Sequence, residues 1–179
     1  MAAANRAAEE PEVVTITVPE PDPSVEPTPP PLVAPDAAAI DPAWCTPEQA
    51  WVTSVGGDAA KGHRMMTLRA TNVSDVACEL NGYPDIAFSD QNGSELVVDL
   101  LQGGSFMTDD AGAAPITLQP GEDAFAALGW NAMAPAGSNV AVTLYLALYP
   151  GASRSVEPVT VDIVEGGEVA VTAWEPSEF

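Results

Sequence analysis

The stretch TNVSDVACELNGYPDIAF, from Thr71 to Phe88, decides how the rest of the chain is read. It begins at the end of an alternating run. From His63 to Thr71, Met66, Leu68 and Ala70 fall on one face and Met65, Thr67 and Arg69 on the other, which is the period of a strand. Val76, Cys78 and Leu80 then alternate inward with Glu79 outward, and Ile86 and Phe88 belong to a further strand. Between them lies Asn81-Gly82-Tyr83-Pro84-Asp85, where Gly82 permits an unusual backbone angle and Pro84 stiffens the approach to the next strand. Tyr83 is placed to cap the core, and its hydroxyl is expected to find a backbone partner.

The same pattern continues outward. Asp90-Gln91-Asn92-Gly93 is a tight turn into Leu96 to Leu100. Ile116 and Leu118 run into the turn Gln119-Pro120-Gly121, within the stretch LQPGEDAFAALGW from Leu118 to Trp130. The longest strand is predicted over Val140 to Tyr149, with Val140, Val142, Leu144, Leu146 and Leu148 on one face. Val159, Val161 and Ile163, followed by Val169 to Trp174 across Glu165-Gly166-Gly167-Glu168, read as a closing hairpin. No segment holds a helical period over three turns, and no internal repeat is present. Short strands with turn signals every eight to twelve residues predict a β-sandwich or barrel.

Thr71, Asn72, Cys78, Leu80, Gly82, Tyr83 and Pro84, followed by Leu118, Pro120, Gly121 and Trp130, form a pattern of Thr-Asn, Cys-x-Leu-x-Gly-Tyr-Pro, Leu-x-Pro-Gly and a strand ending in Trp. It resembles a secreted actinobacterial domain known as domain of unknown function number 4232. The resemblance covers roughly Trp44 to Trp174 and implies an exported domain without naming its activity. With the strand spacing it predicts an immunoglobulin-like antiparallel β-sandwich over residues 42–176. The resemblance also implies a second cysteine pair, one member before the long late strand and one opening the last hairpin. This chain departs from it, with Ala136 to Asn139 and Val164 to Gly167 at those places and no cysteine in either.

Residues 1–41 read as a separate, disordered, proline-rich acidic linker. Eleven of the 18 prolines lie between Pro11 and Pro47, and Pro19 to Pro35 reads PEPDPSVEPTPPPLVAP. Such a segment cannot pack a core, and at ~3.1 Å per residue it extends a spacer on the order of 100 Å. One run inside it differs: Val13 to Val18, VVTITV, fenced by Glu12 and Pro19. It reads either as linker with gatekeepers on both sides or as a strand that adds to an exposed sheet edge.

The chain carries 26 acids against 5 Lys and Arg, a formal net of -21. Residues 1–44 hold eight acids and one arginine, which leaves -14 on the remainder, so the excess is spread through the domain. An even negative surface repels nucleic acid phosphates and anionic headgroups, so neither nucleic acid nor direct membrane binding is expected. No apolar run approaches the ~20 residues that span a bilayer. The first residues, MAAANRAAEE, lack the apolar core of a signal peptide, so the export signal or anchor is expected outside this sequence.

Cys45 and Cys78 are the two cysteines, and in a chain that looks exported they read as a structural disulfide. His63 is the single histidine and no Gly-x-Ser-x-Gly turn exists; Ser105, in Gly103-Gly104-Ser105-Phe106, is the nearest approach to an exposed nucleophile. His63 with Met65 and Met66 could form a copper set, but the two methionines point to opposite faces of a strand. Asp90, Asn92 and Glu95 lack the order of an EF-hand, and Asp109, Asp110, Glu122 and Asp123 read as solvated loop acids. Asn72-Val73-Ser74 and Asn92-Gly93-Ser94 match the glycosylation sequon.

No catalytic residue, metal or cofactor is assigned from these patterns. The expectation is a non-catalytic exported cell-envelope module, binding a protein or wall component through loops or a sheet edge. A small-ligand sensor and a carboxylate-dependent hydrolase are the alternatives, distinguished by a closed apolar pocket or a convergent carboxylate pair.

Overall fold

Two residues with positive φ, Lys61 at 50° and Gly62 at 85°, reverse the chain between β1 (Ala50–Ala60) and β2 (His63–Asn72). A two-residue loop with both residues left-handed matches the twist of an antiparallel pair. The pairing runs from Ala60↔His63 to Ala50↔Asn72, with a bulge between Ser54 and Gly56. The chain continues through β3 (Cys78–Leu80), β4 (Asp85–Ser89), β5 (Glu95–Leu96), β6 (Asp99–Gln102), β7 (Ile116–Leu118), β8 (Asp123–Asn131), β9 (Val140–Ala147), β10 (Ser155–Val164) and β11 (Glu168–Val171). This computed structural model describes residues 40–132, 134, 135 and 137–179. The expected linker, except Ile40 and Asp41, and the run Val13 to Val18 lie outside the described residues. Among those described there is no helix.

One sheet has the order β1-β2-β8-β11-β6, a second β10-β9-β4-β5, and β3 with β7 form a separate two-stranded ribbon. The two larger sheets face each other as a β-sandwich. Between them lie Leu68, Ala70, Ile86, Phe88, Leu128, Leu144, Leu146, Ile163, Val169, Val171 and Trp174, all within one buried cluster. The predicted alternation is observed where it is strict: Leu68 and Ala70 in β2, Cys78 and Leu80 in β3, and Ile86 and Phe88 in β4 are all buried.

Several expectations are corrected. The longest strand is β1, with 11 residues, and not the segment from Val140, which gives the eight residues of β9. The second half of β1, GGDAA, carries weak β propensity, and there the extended form is imposed by the ladder to β2. Val76 does not face inward; it is half-exposed in the loop before β3. The expected strand Leu96 to Leu100 is broken, because β5 pairs with β4 in one sheet and β6 with β11 in the other.

The predicted closing hairpin also does not form. The turn is present, with the Gly167 amide donating to the Val164 carbonyl, but β10 pairs with β9 while β11 pairs with β8 and β6. The turn therefore carries the chain from one sheet to the other. All pairings between the named strands are antiparallel except β11 with β6, which is parallel, as is the isolated bridge between Trp44 and Glu79. Val140 and Val164 face each other where β9 meets β10, so the positions the resemblance marks for a second disulfide flank one ladder pair.

Candidate binding surface

The residues singled out from the sequence hold the fold together. Cys45 and Cys78 are bonded and both buried. The bridge ties the start of the domain to β3, beside hydrogen bonds from the Cys45 amide to Glu79 and from the Glu79 amide to Ala43. Trp44, just before it, packs its ring on Tyr149 with centroids 5.0 Å apart. Leu80 and Leu118 are buried in the small ribbon, where Cys78 opposes Leu118 and Leu80 opposes Ile116.

Asn72 is fully buried at the end of β2. Its Nδ2 donates to the carbonyls of Val76 and Leu118, and its Oδ1 accepts from the amide and hydroxyl of Ser74. The first sequon is therefore a buried clamp whose amide nitrogen is occupied twice, while Asn92 of the second lies exposed in its turn. Gly121, at φ 81°, donates its amide to the Asn72 carbonyl after the exposed Pro120, which is why that turn needs glycine. Thr71 donates its hydroxyl to Asp123. Pro84 is buried, and the Gly82 carbonyl accepts from the Trp174 amide.

Three expectations about polar groups change. The Tyr83 hydroxyl donates to the Asp110 carboxylate at 2.9 Å and not to backbone. That bond, followed by burial and the negative charge of Asp110, pushes the phenol pKa up. Asp110 is not a solvated loop acid, since it also accepts from the amides of Gly112 and Ala173 and so pins its loop to the chain after β11. Glu122 and Asp123 are likewise engaged, the former by the Gln119 amide.

Asp90 organises the turn after β4. Its carboxylate accepts from the amides of Asn92 and Ser94 and from Asn139 Nδ2 at 2.6 Å. Burial alone raises the pKa, and the bonds from Asn139, Ser94 and Asn92 outweigh it, leaving the carboxyl below its usual range. A depressed folded pKa contributes stability above the unfolded value, and that contribution is lost as pH falls through the folded one. Asp90→Asn is expected to lower stability at pH 7, with the difference from the parent shrinking below pH ~4. Urea unfolding at a series of pH values measures it; a constant difference down to pH 2 would contradict this account.

His63 opens β2 and stacks on Phe106, with centroids 4.2 Å apart. Met66 packs against the core. Ser105 shapes its loop: its amide donates to Thr108, its Oγ accepts from the Met107 amide, and its side chain fills the space where a Cβ on Gly129 would stand 2.4 Å away. His63, Phe106, Trp130 and Asp162 line a cleft of about 450 Å³, in which Trp130 Nε1 donates to Asp162 and Arg64 lies 3.7 Å from it. Among the described residues no three His, Cys, Asp or Glu side chains gather as a metal site.

The sheet edges differ in how they are finished. The edge at β1 is met by β10, where Glu157 accepts from both the amide and the hydroxyl of Ser54, and Ser155 donates to the Val52 carbonyl. A carboxylate set on an edge amide closes it to another strand. Among the described residues the edge at β6 has no such cover. Asp99 and Gly103 donate their amides to Gly167 and Val171. In an evenly spaced parallel ladder the alternate residues, Leu100 and Gln102, then turn their N–H and C=O groups outward.

The side chains match that opening. Leu100 and Leu101 are 42% and 46% exposed, and the adjoining Val97 and Phe106 are 56% and 58% exposed. Leu101 and Phe106 line one cleft and Leu100 lies on the opposite face of the strand, so β6 exposes apolar side chains on both of its faces. Sequence reading missed it because it joined Leu96 to Leu100 as one strand of one sheet. A family model described as Domain of unknown function (DUF4232) matches residues 45–175, nearly the whole sandwich, and the chain belongs to that family. No curated protein matches the chain, and no solved structure does.

Proposed function

We propose that this domain is a non-catalytic, exported module of the cell envelope that recognises an extended protein segment through the free edge of β6. The observation that carries the reading is the contrast in backbone cover between the two ends of the larger sheet: both expose apolar side chains, Trp51 and Val55 at one and Leu100 and Leu101 at the other, but Glu157 caps the first and no described residue caps the second. Strand addition supplies main-chain hydrogen bonds for affinity, and half-exposed side chains on alternate faces supply selectivity. The disulfide supports an oxidising, extracellular setting, and no helix among the described residues is long and apolar enough to cross a membrane. Asp90, Asp110, Glu122 and Asp123 act as turn and loop clamps, which favours binding over hydrolysis.

A photo-crosslinking residue at position 100 should crosslink in cells to the extended segment that occupies the edge, in this chain or in a partner, whereas the same residue at Ala60, at the end of β1, should not. Leu101→Lys should abolish the capture, since charge on an edge strand opposes pairing. Equal capture from both positions would remove the edge from consideration. Calcium, zinc or copper in modest excess should leave the melting temperature within about a degree, because a site filled at a hundred times its dissociation constant contributes ~2.7 kcal/mol. A rise of several degrees with one ion would replace this reading with a metal-dependent one.

A further inference from the structure

We propose that residues Val13 to Val18 of the same chain add as a further strand along the outer edge of β6. The inference rests on reading that edge as the recognition surface, and it names the segment that occupies it.

The run VVTITV carries no charge and no proline, and every residue in it is β-branched. In extended form Val14, Ile16 and Val18 share one face and Val13, Thr15 and Thr17 the other. Beside β6 its two faces continue those of the sheet. Leu100 is paired with Val169, a core residue, so the all-apolar row Val14, Ile16 and Val18 extends the core side of the sheet past Leu100. The mixed row falls on the side of Leu101. Pro11 and Pro19 bracket the run, so pairing stops after one short strand.

The position at which the chain enters the sandwich favours the same molecule. Ile40 lines a cleft together with Gln102, the last residue of β6, so the linker begins at one end of the edge to be covered. Residues 19–39 join Val18 to Ile40. At ~3.1 Å per residue they reach ~65 Å, against ~13 Å for a four-residue strand, and a tether of that order holds the segment at an effective concentration near the millimolar range.

Amide hydrogen exchange in the full chain tests this, comparing the parent with Ile16→Pro, which removes a donor outside the sandwich. The amides of Leu100 and Gln102 should exchange at least about tenfold more slowly in the parent, independently of protein concentration. Equal exchange in the two chains would overturn the proposal. Slow exchange that appears only as the protein is concentrated, with a dimer mass, would overturn it in favour of pairing between copies. A synthetic peptide of residues 9–20 added in excess to the Ile16→Pro chain then separates the two ideas. If the parent was unprotected, protection by the peptide leaves the edge as a recognition surface, and no protection removes that reading as well.

Discussion

Replacing Cys45 and Cys78 together by alanine is expected to destabilise the domain by about 2–5 kcal/mol and to lower its melting temperature by about 10 °C. The bridge closes a loop across a sequence separation of 33, worth roughly 3 to 4 kcal/mol in the chain-entropy model. Its place in the fold adds to that. The segment around Cys45 is held by few other bonds, chiefly the backbone pair with Glu79 and the packing of Trp44 on Tyr149. Without the covalent tie this segment is expected to loosen first, exposing Trp44 and unseating the ribbon of β3 and β7. Denaturant unfolding of the double variant, followed by Trp fluorescence, measures both effects. Reduction of the parent protein should reproduce them. A variant as stable as the parent would show that the sandwich alone holds the entering segment.

Asn72→Ala is expected to cost about 3 kcal/mol, although it removes no apolar contact of note. The Asn72 side chain joins three parts of the chain: the end of β2, the turn through Ser74 and Val76, and the Leu118 carbonyl beside the ribbon. Its loss leaves the buried Leu118 carbonyl without that donor and frees the turn. Asn72→Asp should cost at least as much at pH 7, since a carboxylate cannot donate to either carbonyl. Urea unfolding gives the size, and amide exchange at Ser74 gives the location. A change below half a kcal/mol in both variants would mean that water replaces the amide without loss. Ser74→Ala, which removes one hydroxyl, should cost less than either.

The strands with strict alternation were legible from residues alone. β2, β3 and β4 place apolar side chains at every second position, and the structure buries Leu68 and Ala70, Cys78 and Leu80, and Ile86 and Phe88 as that period requires. β1 was not read as a strand. Its second half, GGDAA, carries no period, and ten residue pairs with β2 hold it extended. The hairpin expected across Glu165 to Glu168 failed for a related reason. The turn residues specify a reversal, but whether the strands on either side pair with each other depends on which sheet has a vacant edge.

The polar residues divide along the same line. The disulfide and the turn at Asp90 could be read directly, because two cysteines have one pairing and an Asp-Gln-Asn-Gly run has a local geometry. The partner of Asp90 in Asn139, and that of Tyr83 in Asp110, are 49 and 27 residues away. No local signal announces such pairs.

The sequence by itself determined that this chain is all-β, bridged once, acidic and divided between a proline-rich leader and one sandwich. Those properties follow from side-chain period, proline content, charge and cysteine number, each of which acts locally or is additive along the chain. Only the tertiary structure decided that β6 leaves the sheet of β5 to pair in parallel with β11, that Glu157 closes one edge, and that no described residue covers the other, where Leu100 and Leu101 remain exposed. Edge status is a relation among strands distant in sequence. It arises when backbone groups that every residue carries find no partner, and no single segment of sequence encodes that.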